Sequence, residues 1–256
     1  MPTLYVGHGS PMNAIQDNAF TQAFARLGRE LPAPKAILCV SAHWYVDGTF
    51  VTGNAQPDTI YDFWGFPDEL SQVKYPAPGN PALAQQIAEQ IGSGCSVNSD
   101  WGYDHGTWSV LCHMYPRCDV PVLQLSIDWR VSMERHLEIG RALSALRDQG
   151  VLLVGSGALT HNGDFERRHA KDGWPLTPGW AARVVANATR ACRQRDTAYL
   201  CRLLDTADGR MAHPTPDHYL PLLYVVGAAR DDDEFSVAID AVRHGGSLGM
   251  HAVQFG

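Results

Sequence analysis

Five histidines stand at places in this sequence where an imidazole could bind a metal ion or transfer a proton. His8, His43 and His161 each come shortly after an apolar run, and glycines flank His8 and precede His161. Glycine permits a sharp turn and adds no side chain that would block a ligand above a strand end. One such histidine is equally typical of a polar loop, but the recurrence of the arrangement favours a shared site.

The other two histidines lie near predicted helix starts. His105 is in a glycine-bearing loop that is either structural or catalytic, and we predict that Thr107 caps a short helix reaching about residue 115. Thr215 is a candidate N-cap with Pro216 in the first helical position, which places His218 near a helix N-terminus. The helix dipole there disfavours imidazolium and leaves a neutral ring that can bind a metal.

Hydrophobic spacing predicts the elements that must position these side chains. Buried strands are predicted at 4–6, 36–40, 120–127 and 151–154, a short strand at 49–52, and sheet-edge strands at 235–239 and 246–255. Helices are predicted at 18–30, 81–91, 132–149, 179–194 and 197–204, with a turn at 174–178. On this interpretation His136 lies on a helix surface and His213 is structural.

The alternation of strands and helices predicts one α/β domain over residues 1–256, with a central, mostly parallel or mixed sheet and helices on both faces. Ligands bind such sheets beyond the carboxyl ends of the strands, so His8, His43 and His161 should meet at one edge, with His218 closing the site. Clustered imidazoles suit a first-row divalent metal such as iron or zinc. An aromatic, irregular segment from residue 60 to 78 is interpreted as a lid or pocket wall, and this role is compatible with a hydrophobic plug over the core.

Composition narrows the function classes. The formal charge of −7 argues against a nucleic-acid surface. No apolar stretch is long enough for a membrane span, and no signal peptide is indicated, so we expect a cytoplasmic protein. Six cysteines without CxxC spacing are expected to be reduced core residues rather than zinc ligands or disulfides. The sequence leaves the oligomeric state open.

Seven ordered motifs, spread over nearly the whole chain, resemble the LigB-type class III extradiol ring-cleavage dioxygenases, in particular the DOPA 4,5-dioxygenase-like branch. They are His8-Gly-Ser-Pro, Ser41-Ala-His43-Trp, Tyr61-Asp-Phe-Trp-Gly-Phe-Pro, Tyr75-Pro-Ala-Pro-Gly, Asp104-His105-Gly-Thr-Trp, Thr160-His161-Asn and Pro214-Thr-Pro-Asp-His218-Tyr. The resemblance implies an α/β catalytic domain that opens a catechol such as DOPA with both atoms of O2.

The resemblance also implies roles for the histidines. His8, His43 and His218 would bind the metal, Fe(II) for activity or Zn(II) in the same site. His161 would stand beside the metal as the base, with a fourth ligand as the other possibility, and His105 would be a second acid/base candidate. Better-known members of the superfamily have glutamate as the third ligand, where this branch has histidine.

Two other functions fit the same residues. Three histidines with an open position also describe a zinc site that activates water, so a zinc-dependent hydrolase is the main alternative. A protein that binds a metal or small molecule without turnover is the second. Metal identity separates these hypotheses, because zinc cannot supply the one-electron step of a dioxygenase.

Overall fold

A mixed sheet of eight strands forms the centre of the computed structural model, which describes residues 1–169, 177–243 and 248–256. Its strand order is β4-β3-β5-β2-β6-β1-β10-β7, and β8 pairs with β9 separately. The strands are β1 Thr3–Gly7, β2 Ala36–Val46, β3 Thr49–Thr52, β4 Cys95–Asn98, β5 Val122–Asp128, β6 Val151–Gly157, β7 Phe235–Ile239, β8 Val242–Arg243, β9 Leu248–Gly249 and β10 Ala252–Phe255. The predicted α/β fold with a mixed sheet is confirmed.

The four central strands β5, β2, β6 and β1 run parallel, so their carboxyl ends lie along one edge of the sheet.

The prediction that 235–239 forms an outermost strand is confirmed, because β7 ends the strand order. The edge position predicted for 246–255 is wrong: β10 lies between β1 and β7, antiparallel to both. A four-residue apolar strand does not reveal which distant strands it pairs with. The first two residues of that prediction lie outside the described residues.

Helices cover both faces of the sheet. They are α1 Ala19–Glu30, α2 Pro81–Ile91, α3 His105–Met114, α4 Met133–Leu143, α5 Gly163–His169, α6 Gly179–Gln194, α7 Thr197–Arg202, α8 Ala207–Ala212 and α9 Pro221–Ala228. Short 3-10 segments occupy Pro11–Ala14, Asp68–Gln72, Ser144–Gln149 and Leu203–Asp205. The predicted helix 132–149 is therefore α4 followed by a 3-10 segment. The predicted turn at 174–178 lies mostly outside the described residues.

Alternate residues of the central strands enter two separate cores. Leu38 and Leu153 belong to the core under α2, α4, α6 and α9, whereas Ile37 and Leu152 pack in the core under α1 and α3. Successive side chains of a strand point to opposite faces of the sheet, and here both faces are buried. The sequences of these strands are therefore continuously apolar. Both cores fix the sheet edge on which the histidines stand.

His136 corrects one sequence expectation. It is 1% exposed, and its Nδ1 lies 2.8 Å from the hydroxyl of Tyr224 on α9. The sequence does not indicate this burial, because the partner of His136 lies 88 positions away, outside any local pattern.

Among the described residues, no helix is long and apolar enough to span a bilayer.

Candidate metal centre

The five histidines singled out by the sequence meet at the carboxyl edge of the sheet. The ring centroid of His8 lies 5.0 Å from that of His43, 5.5 Å from that of His105 and 5.2 Å from that of His218. The ring of His161 stacks on His218 at 3.5 Å. The structure thus brings all five predicted site residues together.

Backbone hydrogen bonds at the end of β6 hold two of these histidines. The amide of His8 donates to the carbonyl of Gly157 at 3.1 Å, and the carbonyl of His218 accepts from the amide of Ala158 at 2.9 Å. The Tyr5 hydroxyl also donates to the His218 carbonyl, at 3.2 Å. A Cβ at Gly157 would lie 2.2 Å from that carbonyl oxygen, so only glycine permits this approach.

His43 lies inside β2 and not past its end, which corrects the shorter strand predicted at 36–40. The pairing of β2 with β5 loses register between Val40 and Tyr45. Such an irregularity bends a strand and can re-aim a side chain toward a site. The lost register explains how the residues around His43 remain in the strand while the imidazole contacts His8 and His105.

His105 is the first residue of α3, and the cap is Asp104 rather than the predicted Thr107. The Asp104 carboxylate accepts from the Thr107 amide, from Ser41 Oγ at 2.6 Å and from Gln124 Nε2 at 2.6 Å. Both Asp104 and Thr107 are good capping types, and the buried partners of Asp104, distant in sequence, decide between them. The network fixes where the His105 side chain leaves the helix.

His218 lies in a turn three residues before α9, so the predicted helix start at Pro216 is wrong. The structure begins this helix at Pro221, another proline suited to the first helical position. Burial and the neighbouring His161 lower the pKa of His218 well below its ordinary value of 6.5. The ring is therefore neutral as expected, but burial rather than a helix dipole is the main cause.

Three side chains that sequence reasoning did not single out bind the Nδ1 atoms of the cluster. His8 Nδ1 lies 2.9 Å from Ser156 Oγ, and that hydroxyl donates to the carbonyl of Gly106 at 2.5 Å. His218 Nδ1 is hydrogen-bonded to Asp217. Asp62 Oδ2 lies 3.1 Å from His43 Nδ1 and 2.9 Å from His105 Nδ1.

Asp217 is next to His218 in the sequence and Asp62 belongs to the quoted aromatic motif, but neither position indicates a contact with an imidazole. Ser156 lies in the Gly-Ser-Gly run at the end of β6, and no local pattern marks it as a partner of His8. No local pattern shows that the Asp62 carboxylate reaches residues 43 and 105, because the contact is made by an irregular segment. Sequence reasoning therefore found the rings but not the groups that orient them.

The donor set fits a divalent metal. In the four rings whose Nδ1 atoms contact Ser156, Asp62 or Asp217, Nε2 is the atom left for coordination, the usual arrangement for histidine ligands. His8 Nε2 and His43 Nε2 are 3.1 Å apart. Two ligands about 2.1 Å from one metal stand roughly 3.0–3.4 Å apart in octahedral or tetrahedral geometry. The same spacing is a hydrogen bond when one nitrogen carries a proton.

The ligand-capable atoms form two groups. Those of His8, His43 and His105 lie within 4.8 Å of one another, as do those of His161, Asp217 and His218. The ligand set implied by the resemblance takes two members from the first group and one from the second. The ring centroid of His218 lies 5.0 Å from that of His43, which places it across from the first group.

The protonation states differ within the cluster. Burial and the neighbouring imidazoles lower the pKa of His8 well below 6.5, and burial also lowers the pKa values of His105 and His161. His43 is the exception, because the Asp62 hydrogen bond and nearby carboxylates outweigh its burial and raise its pKa. At neutral pH most of these rings are therefore neutral and able to bind a metal or accept a proton.

A cavity of about 460 Å³ opens beside the cluster. Its volume suits a small aromatic ligand. The predicted aromatic segment contributes Phe63 and Phe66 to the wall, which agrees with the pocket-wall interpretation. The remaining lining includes the five histidines, the 9–11 turn, Glu166 and Leu248.

Comparison with known proteins gives consistent results. A family model described as the catalytic LigB subunit of aromatic ring-opening dioxygenase matches residues 1–252. The chain is 44% identical over 260 residues to 4,5-DOPA dioxygenase extradiol of Escherichia coli (strain K12), covering 100% of this chain and 95% of that protein. It is 38% identical over 239 residues to the Beta vulgaris protein of the same name, covering 91% and 88% respectively. The crystal structure of an uncharacterized Escherichia coli K12 protein superposes with a TM-score of 0.84 at 38% identity, over the full length of both chains.

Proposed function

The chain belongs to the LigB family of aromatic ring-opening dioxygenases, and from this premise we propose that it opens the ring of a catechol such as DOPA by extradiol cleavage, with both atoms of O2 entering the product. Enzymes of this family are metal-dependent and act on an aromatic substrate with O2. The observation that carries the proposal is a group of buried imidazoles, anchored at Nδ1 and facing one another beside an aromatic-walled cavity.

We assign the metal to His8, His43 and His218. This assignment is supported by the contacts of their Nδ1 atoms with Ser156, Asp62 and Asp217, which leave each Nε2 for coordination. Held by these three residues, Fe(II) would supply the one-electron redox chemistry that allows a catechol to react with O2, which zinc cannot supply. Asp217 is hydrogen-bonded to His218. Its carboxylate would supply the negative charge that a glutamate ligand brings in better-known relatives.

His161 is the proposed base that accepts a catechol proton. Its ring is parallel to His218 within 4°, with centroids 3.5 Å apart. Because nitrogen lone pairs lie in the ring plane, two rings stacked in this way do not direct them at a common point. This geometry favours a role beside the metal over a fourth ligand. A neutral imidazole, kept so by burial, can take up a proton.

His105 is the second proton-transfer candidate in this proposal. Its Nδ1 is bound to Asp62, so Nε2 is the atom free to meet a substrate oxygen or return a proton. Phe63 lies edge-on to this ring at 5.8 Å, and its aromatic wall is suited to packing against a catechol. Proton acceptance at His161 and substrate orientation at His105 are then separate tasks.

The test is to load the metal-free protein with Fe(II) under anaerobic conditions, add DOPA, and admit air. A yellow ring-opened semialdehyde should appear, and the Zn(II)-loaded protein should give none. A neutral catechol such as 4-methylcatechol, assayed in parallel, separates ring cleavage in general from preference for DOPA. Absence of product from every catechol with Fe(II), or equal product with zinc, would count against the dioxygenase; hydrolysis of an ester by the zinc form would favour the hydrolase.

A further inference from the structure

Asp62 is one carboxylate that binds two imidazoles of the cluster. Its Oδ2 lies 3.1 Å from His43 Nδ1 and 2.9 Å from His105 Nδ1, while Oδ1 accepts the backbone amide of His105 at 2.9 Å. The side chain is 16% exposed.

An ionised carboxylate can only accept hydrogen bonds, so it fixes the tautomer of both rings. Each Nδ1 must carry the proton, which leaves both Nε2 atoms without one in the neutral rings. His43 Nε2 faces His8 Nε2 at 3.1 Å, toward the proposed metal position. The rings of His43 and His105 are themselves in contact, with centroids 3.9 Å apart. A change at Asp62 therefore acts on two rings at once.

Asp62 also begins the aromatic wall of the cavity. The next residue, Phe63, packs edge-on against His105 and against Phe66, and both phenylalanines line the cavity. We propose that Asp62 is a positioning residue: its carboxylate sets the Nδ1–H tautomer of His43 for metal binding and of His105 for substrate, and ties the substrate wall to both. This inference rests on the proposed function, because it assigns His43 to the metal and His105 to the substrate.

The substitution Asp62→Asn tests the proposal at nearly constant shape. An amide offers one acceptor oxygen and one donor group, so it cannot accept from both ring N–H groups and the His105 amide together. Replacing the hydrogen-bond partner of a metal-binding histidine typically costs roughly 10–100-fold in metal affinity or activity. We expect losses of that size both in Fe(II) affinity and in kcat at saturating Fe(II), with a smaller change in KM.

Ring tautomers give a readout that needs no activity. In the metal-free protein at pH 8, nitrogen-15 NMR of the imidazoles should show His43 and His105 as Nδ1–H in the wild type. At least one of them should change to Nε2–H in Asp62→Asn. Asp62→Glu keeps a carboxylate one methylene further out, and it should retain the wild-type tautomers and recover part of the Fe(II) affinity. Rescue of this kind does not follow from a merely structural role.

The matched control is Asp68→Asn, an exposed carboxylate in the same segment, which should leave tautomers, Fe(II) affinity and kcat unchanged. Wild-type rings found as Nε2–H would overturn the proposal without any variant. Fe(II) affinity of Asp62→Asn within about twofold of wild type would overturn it as well, since 10–100-fold is expected. A loss of Fe(II) affinity with unchanged kcat at saturating metal would overturn the shared role for His105.

Failure of this inference is distinguishable from failure of the proposed function. If no catechol is cleaved by the wild type, the dioxygenase proposal fails, but tautomers and Fe(II) binding can still be measured and still test Asp62. If the wild type cleaves catechols and Asp62→Asn binds Fe(II) and turns over normally, only the positioning role is lost.

Discussion

The two ends of the central sheet differ in how their buried ionisable side chains are paired. At the carboxyl edge, five imidazoles crowd together, and burial and the neighbouring imidazoles lower the pKa values of His8 and His218. At the amino edge, Arg147 and Asp233 form an ion pair with side chains only 4% and 8% exposed. Arg147 also donates to the carbonyls of Met1 at 2.6 Å and Ala228 at 3.0 Å. The guanidinium is therefore compensated by charge and by hydrogen bonds within the chain.

The difference suits the Arg147–Asp233 pair to stabilising the fold and the histidine cluster to binding and chemistry. A buried polar group without its partner costs free energy, so a group serving stability alone is expected to be satisfied internally. The histidine cluster instead keeps Nε2 atoms facing one another, which is unfavourable until a metal or proton occupies the space between them. This arrangement lies at the edge where the cavity opens.

The largest expected effect is the loss of a proposed ligand. His8→Ala should abolish Fe(II) binding at micromolar metal and with it ring cleavage, a greater loss than the roughly 100-fold typical of removing a ligand's hydrogen-bond partner. Metal content after anaerobic loading is the measurement. His113→Ala is the control, because that ring binds the Asn13 carbonyl and lies outside the cluster. Unchanged metal content in His8→Ala would remove this residue from the ligand set.

His161→Ala should separate metal binding from proton transfer within the same edge. We expect Fe(II) affinity close to that of wild type and a kcat lower by roughly 10²–10⁴-fold, the usual contribution of a general base. Isothermal titration under anaerobic conditions gives the first quantity and semialdehyde formation the second. Loss of metal together with activity would instead make His161 a fourth ligand.

At the opposite edge, Asp233→Ala should affect stability and leave the metal site intact. Removing one partner of a buried ion pair typically costs about 3–5 kcal/mol, because the other charge is left uncompensated. Urea unfolding at pH 7 measures the free energy of unfolding, and Fe(II) affinity of the folded fraction should be unchanged. Asp148→Ala is the control, since its ion pair with Arg230 is largely exposed and should contribute far less to stability. Equal effects of the two substitutions would contradict the comparison.

Acid should act on the buried His136 and on the Arg147–Asp233 pair at different pH. Burial lowers the pKa of His136 from 6.5 to about 4, so its neutral form stabilises the fold fully above pH 6.5. This contribution, about 3 kcal/mol, is lost as the pH falls from 6.5 toward 4. Burial raises the pKa of Asp233, but Arg147 outweighs it and the pKa is lowered, so this carboxylate's contribution is lost only below its ordinary 3.8.

The measurement is the free energy of unfolding of the metal-free protein between pH 7 and 4.5, for the wild type and for His136→Asn. Asparagine keeps a polar atom near the position of Nδ1 but does not titrate. The variant should therefore lose less stability over this range than the wild type. Identical pH slopes for the two proteins would show that His136 is not the group responsible.

The sequence was sufficient to predict that His8, His43 and His161 meet at one sheet edge with His218 beside them, because strand ends, glycine turns and helix starts are local signals. Only the family resemblance added His105 to this site. The sequence did not predict that β2 continues through His43, since the strand's later residues are half-buried and its register change depends on β5. Nor did it predict the partners of the rings. Asp62 reaches His105 across 43 positions and Ser156 reaches His8 across 148, and such contacts exist only in the packed chain.

The smallest expected effect comes from Gly106, which lies against the cluster without binding it. A Cβ there would stand 2.5 Å from Ser41 Oγ and 3.0 Å from His43 Cδ2, so the imidazole must shift by a few tenths of an ångström. We expect Gly106→Ala to weaken Fe(II) binding by about tenfold, the low end of the effect of disturbing a ligand's surroundings. The same substitution should stabilise the helix by about 1 kcal/mol, because alanine has a higher helix propensity than glycine, so a loss of Fe(II) affinity would not come from a weaker helix.

Gly163→Ala, at the start of α5 on the same sheet edge, is the matched control. Its Cβ would lie 3.5 Å from Arg167, which is an ordinary contact. A similar loss of Fe(II) affinity in both variants would show that the cluster tolerates no added bulk nearby, whereas a loss in Gly106→Ala alone would locate the sensitivity at His43.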